Sequence, residues 1–211
     1  LVVDPMCGSG IILLEAAQCW RQARYLGFDN DLSQLERSAA NLRSLSEHVG
    51  RIVGLARADV TRLPLPDACV DALVCDLPFG KLYGSELENT TLYPAALAEF
   101  YRVLRPGTGR TVLLTNTANA PRLTEVFCAS PDRWTVTCRR RLTLGNMEAV
   151  LFLASAREPG ADGGEAGVAE LPAESMRLPW EDSRGRAKWT ALKAEVRSPL
   201  KPVLGGRKVL R

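Results

Sequence analysis

This sequence has little of what marks a metal site, a disulfide framework or a membrane protein. It contains one histidine and six cysteines among 211 residues, and no cysteines stand at the close spacing typical of metal ligands. No stretch reaches the roughly 20 apolar residues that a membrane helix needs. The opening residues also lack the basic and apolar segments of a signal peptide. We therefore expect an intracellular protein with reduced, mostly buried cysteines and no bound metal.

The charge balance does not identify a partner. The net charge of +3 is too small to indicate nucleic-acid binding, because affinity for phosphates depends on where positive charges lie. The length and the 46% hydrophobic content suffice for one sizeable core. We expect a single domain over residues 1–156, and a flexible tail over residues 157–211 that is rich first in Gly and Pro and then in basic residues.

Strand-like and helix-like segments alternate along the domain. This alternation predicts an α/β fold with a mostly parallel sheet covered on both faces, with the last two strands as antiparallel neighbours. Because no helix precedes the first strand, we expect a fold truncated ahead of that strand. The predicted strands cover residues 1–3, 25–28, 51–58, 70–75, 111–114, 134–142 and 148–153, and the predicted helices cover residues 11–21, 32–49, 94–104 and 120–128.

A turn with two glycines follows the first predicted strand. Gly8 and Gly10 allow a tight turn and a close approach to the backbone, although a plain strand-to-helix turn is the alternative. Asp4 at the strand end would repel the pyrophosphate of a dinucleotide. S-adenosylmethionine carries a sulfonium and an ammonium group but no phosphate, so it tolerates this acid. The expected cofactor-binding residues of the turn are Asp4, Pro5, Cys7, Gly8 and Gly10.

Further acidic residues stand at the ends of later predicted strands. Asp29 ends the second strand, where an acid can accept hydrogen bonds from two ribose hydroxyls. Asp31 directly precedes a predicted helix, so it suits a helix cap better than a contact with the ribose. Asp59 follows the third strand and either accepts from the adenine amino group or caps a turn. Asp76 ends the fourth strand and is expected to face both the cofactor and the acceptor.

The segment Asp76-Leu77-Pro78-Phe79-Gly80 combines a carboxylate, backbone carbonyls and an aromatic ring at one strand end. An exocyclic amino group on a base is a poor nucleophile, and hydrogen bonds to Asp76 and to a nearby carbonyl would aim it at a methyl donor. Phe79 can stack on the base, and a proline-containing turn is the alternative. The expected catalytic residues are Asp76, Pro78 and Phe79, and the expected substrate-binding residues are Leu77, Phe79 and Lys81.

These motifs resemble those of THUMP-domain-containing RNA guanine-N2 methyltransferases, especially the tRNA-modifying branch. The resemblance covers about residues 1–155. It rests on the Asp4 and Asp76 motifs, the latter continuing to Lys81, and on Gly84-Ser85, Leu92-Tyr93-Pro94-Ala95 and Thr108-Gly109-Arg110-Thr111-Val112-Leu113-Leu114-Thr115.

The resemblance implies a Rossmann-like, seven-stranded class I methyltransferase fold with S-adenosylmethionine as cofactor. It further implies N2-methylation of a guanosine in tRNA, and a small zinc-containing activator subunit that adds to the sheet edge. Relatives also carry a tRNA-gripping THUMP region absent from this sequence, so the activity of this chain by itself is left open.

Other acceptors and another role stay open. They are adenine in DNA or RNA, a protein glutamine, and a non-catalytic remnant that binds the cofactor and docks the activator. The expected location is the cytoplasm, with the nucleus as the alternative.

Overall fold

Strands and helices alternate through the chain in the computed structural model, which describes residues 1–80, 88–144 and 147–160. Lys81, Gly84 and Ser85, and the expected tail beyond residue 160, lie outside the described residues. The elements are β1 (Val2–Asp4), α1 (Ile11–Cys19), β2 (Tyr25–Asp29), α2 (Leu32–Arg43), α3 (Glu47–Ile52), β3 (Val53–Arg57), β4 (Ala72–Asp76), α4 (Glu88–Val103), β5 (Arg110–Asn116), α5 (Ala120–Cys128), β6 (Trp134–Leu144) and β7 (Met147–Ala156).

The described strands form one seven-stranded sheet in the order β3-β2-β1-β4-β5-β7-β6. Strands β1 to β5 are parallel to their neighbours in that series, and β7 is antiparallel to both β5 and β6. The chain first builds outward from β1 to β3 and then returns to the other side of β1 with β4. Ligands of such sheets bind at the carboxyl ends of the strands, where the strand order reverses. The topology therefore points to the carboxyl ends of β1 and β4. The predicted seven-stranded α/β architecture is confirmed.

Two apolar clusters cover the two faces of the sheet. On one face, α1 and α3 contribute Leu13, Leu14 and Val49 to a cluster with Tyr25 of β2. On the other face, α4 and α5 bury a larger cluster that includes Tyr93, Phe100 and Phe152. Alternate strand residues therefore serve different clusters, because successive side chains of a strand point to opposite faces. Side chains on both faces of β1 pack in these clusters. This packing fixes the position of the turn that follows β1 relative to the helices.

Two predicted helices differ from the observed ones. The single helix expected over residues 32–49 is divided into α2 and α3, because the Ser44 hydroxyl and backbone N–H both donate to the Asn41 carbonyl and end the first helix. The helix expected to begin at Pro94 begins at Glu88, with Pro94 in its interior. Proline is favoured at the first turn of a helix, but here Tyr93 is buried. Its packing offsets the cost of an interior proline.

The cysteines only partly match the expectation of burial. All six are free thiols, of which Cys7, Cys75 and Cys138 are buried, Cys69 is half-buried, and Cys19 and Cys128 are exposed. Within the described residues, no helix is both long and apolar enough to cross a membrane.

Candidate active site at the edge of the sheet

Three carboxyl groups gather at the edge where the strand order reverses. Asp4 ends β1, and its flanking strands β2 and β4 end with Asp29 and Asp76. Asp4 pairs in register with Gly27, and Val3 pairs with Leu73. Because the three strands are parallel, Asp29 lies two residues beyond the level of Asp4, and by the same count Asp76 lies two residues beyond it on the other side. Asp4 therefore sits deepest, between two more projecting acids.

Asp4 is a buried acid that accepts a backbone hydrogen bond from the following turn. Its side chain is 1% exposed, and it accepts the backbone N–H of Met6 at 3.1 Å. The pKa of Asp4 is raised to about 7, mainly by burial; the Met6 hydrogen bond opposes this shift, and the charges of Asp76 and Asp29 add to it. Such a site disfavours a further negative charge and favours a cation. The expectation that the turn suits a cationic ligand agrees with this electrostatic environment.

The turn after β1 depends on its glycines. Gly8 and Gly10 have φ angles of 52° and 80°, which favour glycine. A Cβ atom on Gly10 would lie 2.1 Å from the Ser38 hydroxyl of α2, so no side chain fits there. Gly10 directly precedes α1, and the free N–H groups of a helix start can face a ligand.

Pro5 and Cys7 belong to the interior of this turn. Both residues are buried, and the Cys7 side chain joins the cluster beneath α1. The Cys7 N–H donates to the Phe28 carbonyl at 2.8 Å. Their side chains therefore support the turn, and their contact with a cofactor stays a prediction.

Asp29 holds two segments together. One of its carboxylate oxygens accepts the N–H of Gly8 at 2.8 Å, and the other accepts the N–H of Asp31 at 2.9 Å. Each carboxylate oxygen can accept a second hydrogen bond, so ribose hydroxyls could still be bound. Asp31 caps α2 by accepting the N–H of Ser33, as predicted.

Asp59 follows β3 and caps an exposed turn. One of its oxygens accepts both the N–H and the hydroxyl of Thr61 at 2.8 Å. These hydrogen bonds lower the pKa of Asp59. The turn-capping alternative therefore describes its local role, and a contact with adenine stays a prediction.

Residues 76–80, which we call the acceptor loop, leave the sheet at the end of β4. Asp76 reaches solvent, yet the surrounding protein removes enough water to raise the pKa of its carboxyl group to about 6. Leu77 is 1% exposed and packs in the core, so only its backbone can face a substrate. Phe79 is half-buried, and Gly80 ends the loop with a φ of 76°.

The carbonyls of the acceptor loop are held by side chains that the sequence did not single out for this purpose. The Pro78 carbonyl accepts from the Tyr93 hydroxyl at 2.9 Å and from the Asn89 amide at 3.0 Å. The Phe79 carbonyl accepts from the amides of Asn116 at 2.9 Å and Asn119 at 3.3 Å. Asn116 ends β5, and its position at a strand end is the signal that could have found it.

The comparisons with known proteins agree with this geometry. Residues 1–145 match the family described as UPF0020: RMKL-like, methyltransferase domain. A mouse relative named tRNA (guanine(6)-N(2))-methyltransferase THUMP3 is 36% identical over 162 residues, which are 72% of this chain and 32% of the relative. A Bos taurus relative named U6 snRNA (guanine-N(2))-methyltransferase THUMPD2 is 41% identical over 116 residues, 54% of this chain and 21% of the relative. The chain thus spans a third or less of the length of these relatives.

Solved structures share the fold. TrmN from Thermus thermophilus superposes with a TM-score of 0.60 at 28% identity, covering 74% of this chain and 43% of that chain. A complex described as the Haloferax volcanii Trm112 methyltransferase activator and the putative methyltransferase has a TM-score of 0.57 at 15% identity, covering 74% of this chain and 82% of that chain. The class I methyltransferase fold expected from the sequence is therefore confirmed.

Replacing Asp4 by Asn should remove a pH dependence of stability. The folded pKa of about 7 lies above the value of about 3.9 for an unfolded Asp. Between these values the folded state holds more protons, so this residue's contribution to stability falls as pH rises. We expect Asp4→Asn to be more stable than the wild type at pH 8 by on the order of 2–4 kcal/mol, with a smaller difference at pH 5.

Urea unfolding at the two pH values measures this difference, with Asp132→Asn as the control because Asp132 is exposed. Equal shifts in the two variants would contradict the assignment of a buried, protonated Asp4.

Proposed function

We propose, since this chain belongs to the UPF0020: RMKL-like, methyltransferase domain family, that it transfers a methyl group from S-adenosylmethionine to the exocyclic N2 amino group of a guanosine in tRNA. The observation that carries the proposal is the acceptor loop. It places an exposed carboxylate beside a buried acid at the switch point, while two of its carbonyls are already occupied by side chains of the protein.

The residues of the turn after β1 fit this cofactor. Asp4 and its neighbouring acids favour a ligand that carries positive charge, and a Cβ on Gly8 would have only the end of the Gln34 side chain within 4 Å, so its backbone is accessible. In the proposal, Asp4 and the glycine turn hold the amino-acid end, Asp29 the ribose and Asp59 the adenine. The bound cofactor supplies an electrophilic methyl group on a sulfonium.

The acceptor loop supplies two hydrogen-bond acceptors for an amino group. The carbonyls of Pro78 and Phe79 are occupied by side chains of the protein. We assign the two N–H groups of the acceptor to the Asp76 carboxylate and to the preceding loop carbonyl, that of Leu77, an arrangement that turns the nitrogen lone pair outward. Phe79 stacks on the base. In this assignment Leu77 acts through its backbone carbonyl. Pro78 holds the loop in place through its own carbonyl, which Asn89 and Tyr93 bind.

The reaction then needs little beyond positioning and charge. One N–C bond forms, one S–C bond breaks, and one N–H proton is lost. The Asp76 carboxylate stabilises the positive charge that grows on the nitrogen, and its contact with solvent gives the released proton a path to water. Burial of Asp4 keeps the carboxyl group beside the cofactor away from water.

The tRNA part of the proposal is supported by the mouse relative's printed name and by the position of basic residues. Asp76, Leu114, Leu151 and Arg140 occupy one row across four adjacent strands. Arg139 and Arg141 flank the last of them, and Arg141 is exposed. Three strand spacings place these arginines about 14 Å from the end of β4, which suits phosphates of nucleotides that flank the modified base.

The Asp76→Ala variant should lose methyl transfer. Removing the positioned carboxylate should lower kcat by about 10²–10³-fold, with smaller changes in cofactor binding. The measurement is transfer of labelled methyl from S-adenosylmethionine to unmodified tRNA, followed by identification of the labelled nucleoside. It uses the activator subunit, and it compares this chain by itself with a longer protein that adds the THUMP region of the relatives.

The control is Asp132→Ala, which removes an exposed acid away from the acceptor loop. Label in N6-methyladenosine or in a protein glutamine would overturn the guanosine assignment, and cofactor binding without any transfer would favour the non-catalytic alternative.

The Arg141→Gln variant should weaken RNA binding without affecting cofactor binding. Loss of one phosphate contact lowers the slope of log affinity against log salt by about 0.7–0.9. Arg110→Gln is the matched control. Arg110 is exposed at the start of β5, so it lies at the end of the strands that is opposite to the candidate site. Equal salt dependence in the two variants would contradict an RNA path along β6.

We further propose that a small zinc-containing activator subunit, as the resemblance implies, pairs with the free edge of β3. This strand is the outermost on its side, and the other outermost strand, β6, is interrupted by an irregularity between Val136 and Cys138 and carries the arginines. Both features discourage edge pairing. Ala58 donates its N–H to Asp29 of β2, and amide directions alternate along a strand. The N–H of Leu55 therefore points to the free edge.

The Leu55→Pro variant should lose the activator, because proline removes the outward N–H. Leu55→Ala keeps that N–H and serves as the control for lost packing. Co-expression with the tagged activator and quantification of the co-purified chain measures the effect. Equal recovery of both variants would contradict pairing along β3.

The cytoplasmic location of the enzyme stays a prediction.

A further inference from the structure

The acceptor loop is fixed by two clamps, which we define as the side-chain donors on its two middle carbonyls. The first clamp consists of Tyr93 and Asn89 of α4 on Pro78. The second consists of Asn116 at the end of β5 and Asn119 just before α5 on the carbonyl of Phe79. The clamps thus join an irregular loop to three separate elements that pack in the core.

Three of the four clamp residues are shielded from water. Tyr93 and Asn89 are fully buried and Asn119 is 3% exposed, whereas Asn116 is half-buried. Thr115, which contacts Tyr93, is also fully buried. Hydrogen bonds in such surroundings are stronger than those in contact with water, and a lost partner is costly. The Pro78 carbonyl in particular is held by two buried groups that cannot easily exchange it for solvent.

The direction of the first clamp follows from its chemistry. A carbonyl only accepts, so the single proton of the Tyr93 hydroxyl is committed to Pro78. The contact of 2.8 Å between Tyr93 and Thr115 must then have Thr115 as the donor. Burial raises the pKa of Tyr93 to about 12, so the hydroxyl keeps its proton at neutral pH.

The buried Asn89 also suggests a role other than stability. Its Nδ2 holds Pro78, but its Oδ1 is buried and has no hydrogen-bond partner in the part of the chain that the structure describes. A buried acceptor without a partner costs about 1–3 kcal/mol. A stabilising role alone would not favour an amide at this position.

We propose that Tyr93 is a positioning residue for methyl transfer, acting through the Pro78 carbonyl to fix the acceptor loop relative to Asp76. This inference rests on the proposed function, because it concerns the loop that holds the amino group. The second clamp fixes the following peptide group, between Phe79 and Gly80, so the two peptide groups that flank Phe79 are both held.

The expected effect of losing the hydroxyl is a loss of turnover. In-line transfer depends on geometry so strongly that a shift of about 1 Å can cost about 10²-fold in rate. Asn89 still holds Pro78 when the Tyr93 hydroxyl is gone, so Tyr93→Phe should lower kcat by about tenfold. The KM values for RNA and for S-adenosylmethionine should stay within about twofold of the wild type, because no substrate contact is removed.

The matched control is Tyr101→Phe. Its hydroxyl donates to the Arg157 carbonyl at 3.3 Å, and Tyr101 packs on Trp134, away from the acceptor loop. Thr115→Val removes the donor to Tyr93, and Thr115→Ser keeps a hydroxyl. We expect Thr115→Val to reduce kcat and Thr115→Ser to restore most of it.

The experiment compares kcat, KM, melting temperature and the backbone hydrogen exchange of Leu77, Phe79 and Gly80 in these variants of the full protein with the activator. Lower kcat and faster exchange in Tyr93→Phe, at a melting temperature like that of Tyr101→Phe, support the proposal. If the wild type transfers no methyl group, the proposed function fails, and faster exchange limited to the loop still supports the clamp. Exchange and turnover equal to those of Tyr101→Phe would overturn it.

Discussion

The burial of one carboxyl group at the end of the central strand is the constraint on which the site depends. Asp4 is 1% exposed because β1 lies between β2 and β4 and the following turn passes over the strand end. Burial raises the pKa of Asp4 to about 7, so the site accepts positive charge far more readily than phosphate. The shape of the turn follows from the same placement, since the chain must leave β1 at once and start α1.

The acceptor loop is held in place by neutral hydrogen-bond donors and not by charged groups. In the proposed function it holds the Asp76 carboxylate and the Leu77 carbonyl in place, close to other acids, without adding charge. Neutral donors do this work, because the hydroxyl of Tyr93 and the amides of Asn89, Asn116 and Asn119 bind carbonyls and leave the Asp76 carboxylate to the substrate. A lysine or arginine in their place would compete for Asp76 and oppose a cationic cofactor.

The two proposed partners are assigned to different edge strands of the sheet. β3 is short and pairs only with β2 in the described part of the chain, which leaves backbone groups for an added strand. β6 is long, and its arginines lie in the row of Asp76. The candidate active site lies between these two edges, at the carboxyl ends of the inner strands β1 and β4. The proposed activator and the proposed RNA path therefore use different surfaces of the described sheet.

The sequence by itself determined the alternation of strands and helices, the parallel sheet and the acids at the strand ends, because these follow from local periodicity and from residues adjacent in the chain. The switch-point position of Asp4 and Asp76 followed from that pattern. Only the tertiary structure decided that α2 ends at Arg43 and that Pro94 lies inside α4. It also decided that the Leu77 side chain is buried and that Tyr93 and three asparagines hold the loop. These contacts join residues 11 to 40 positions apart, and no local pattern encodes them because they depend on how separate elements pack.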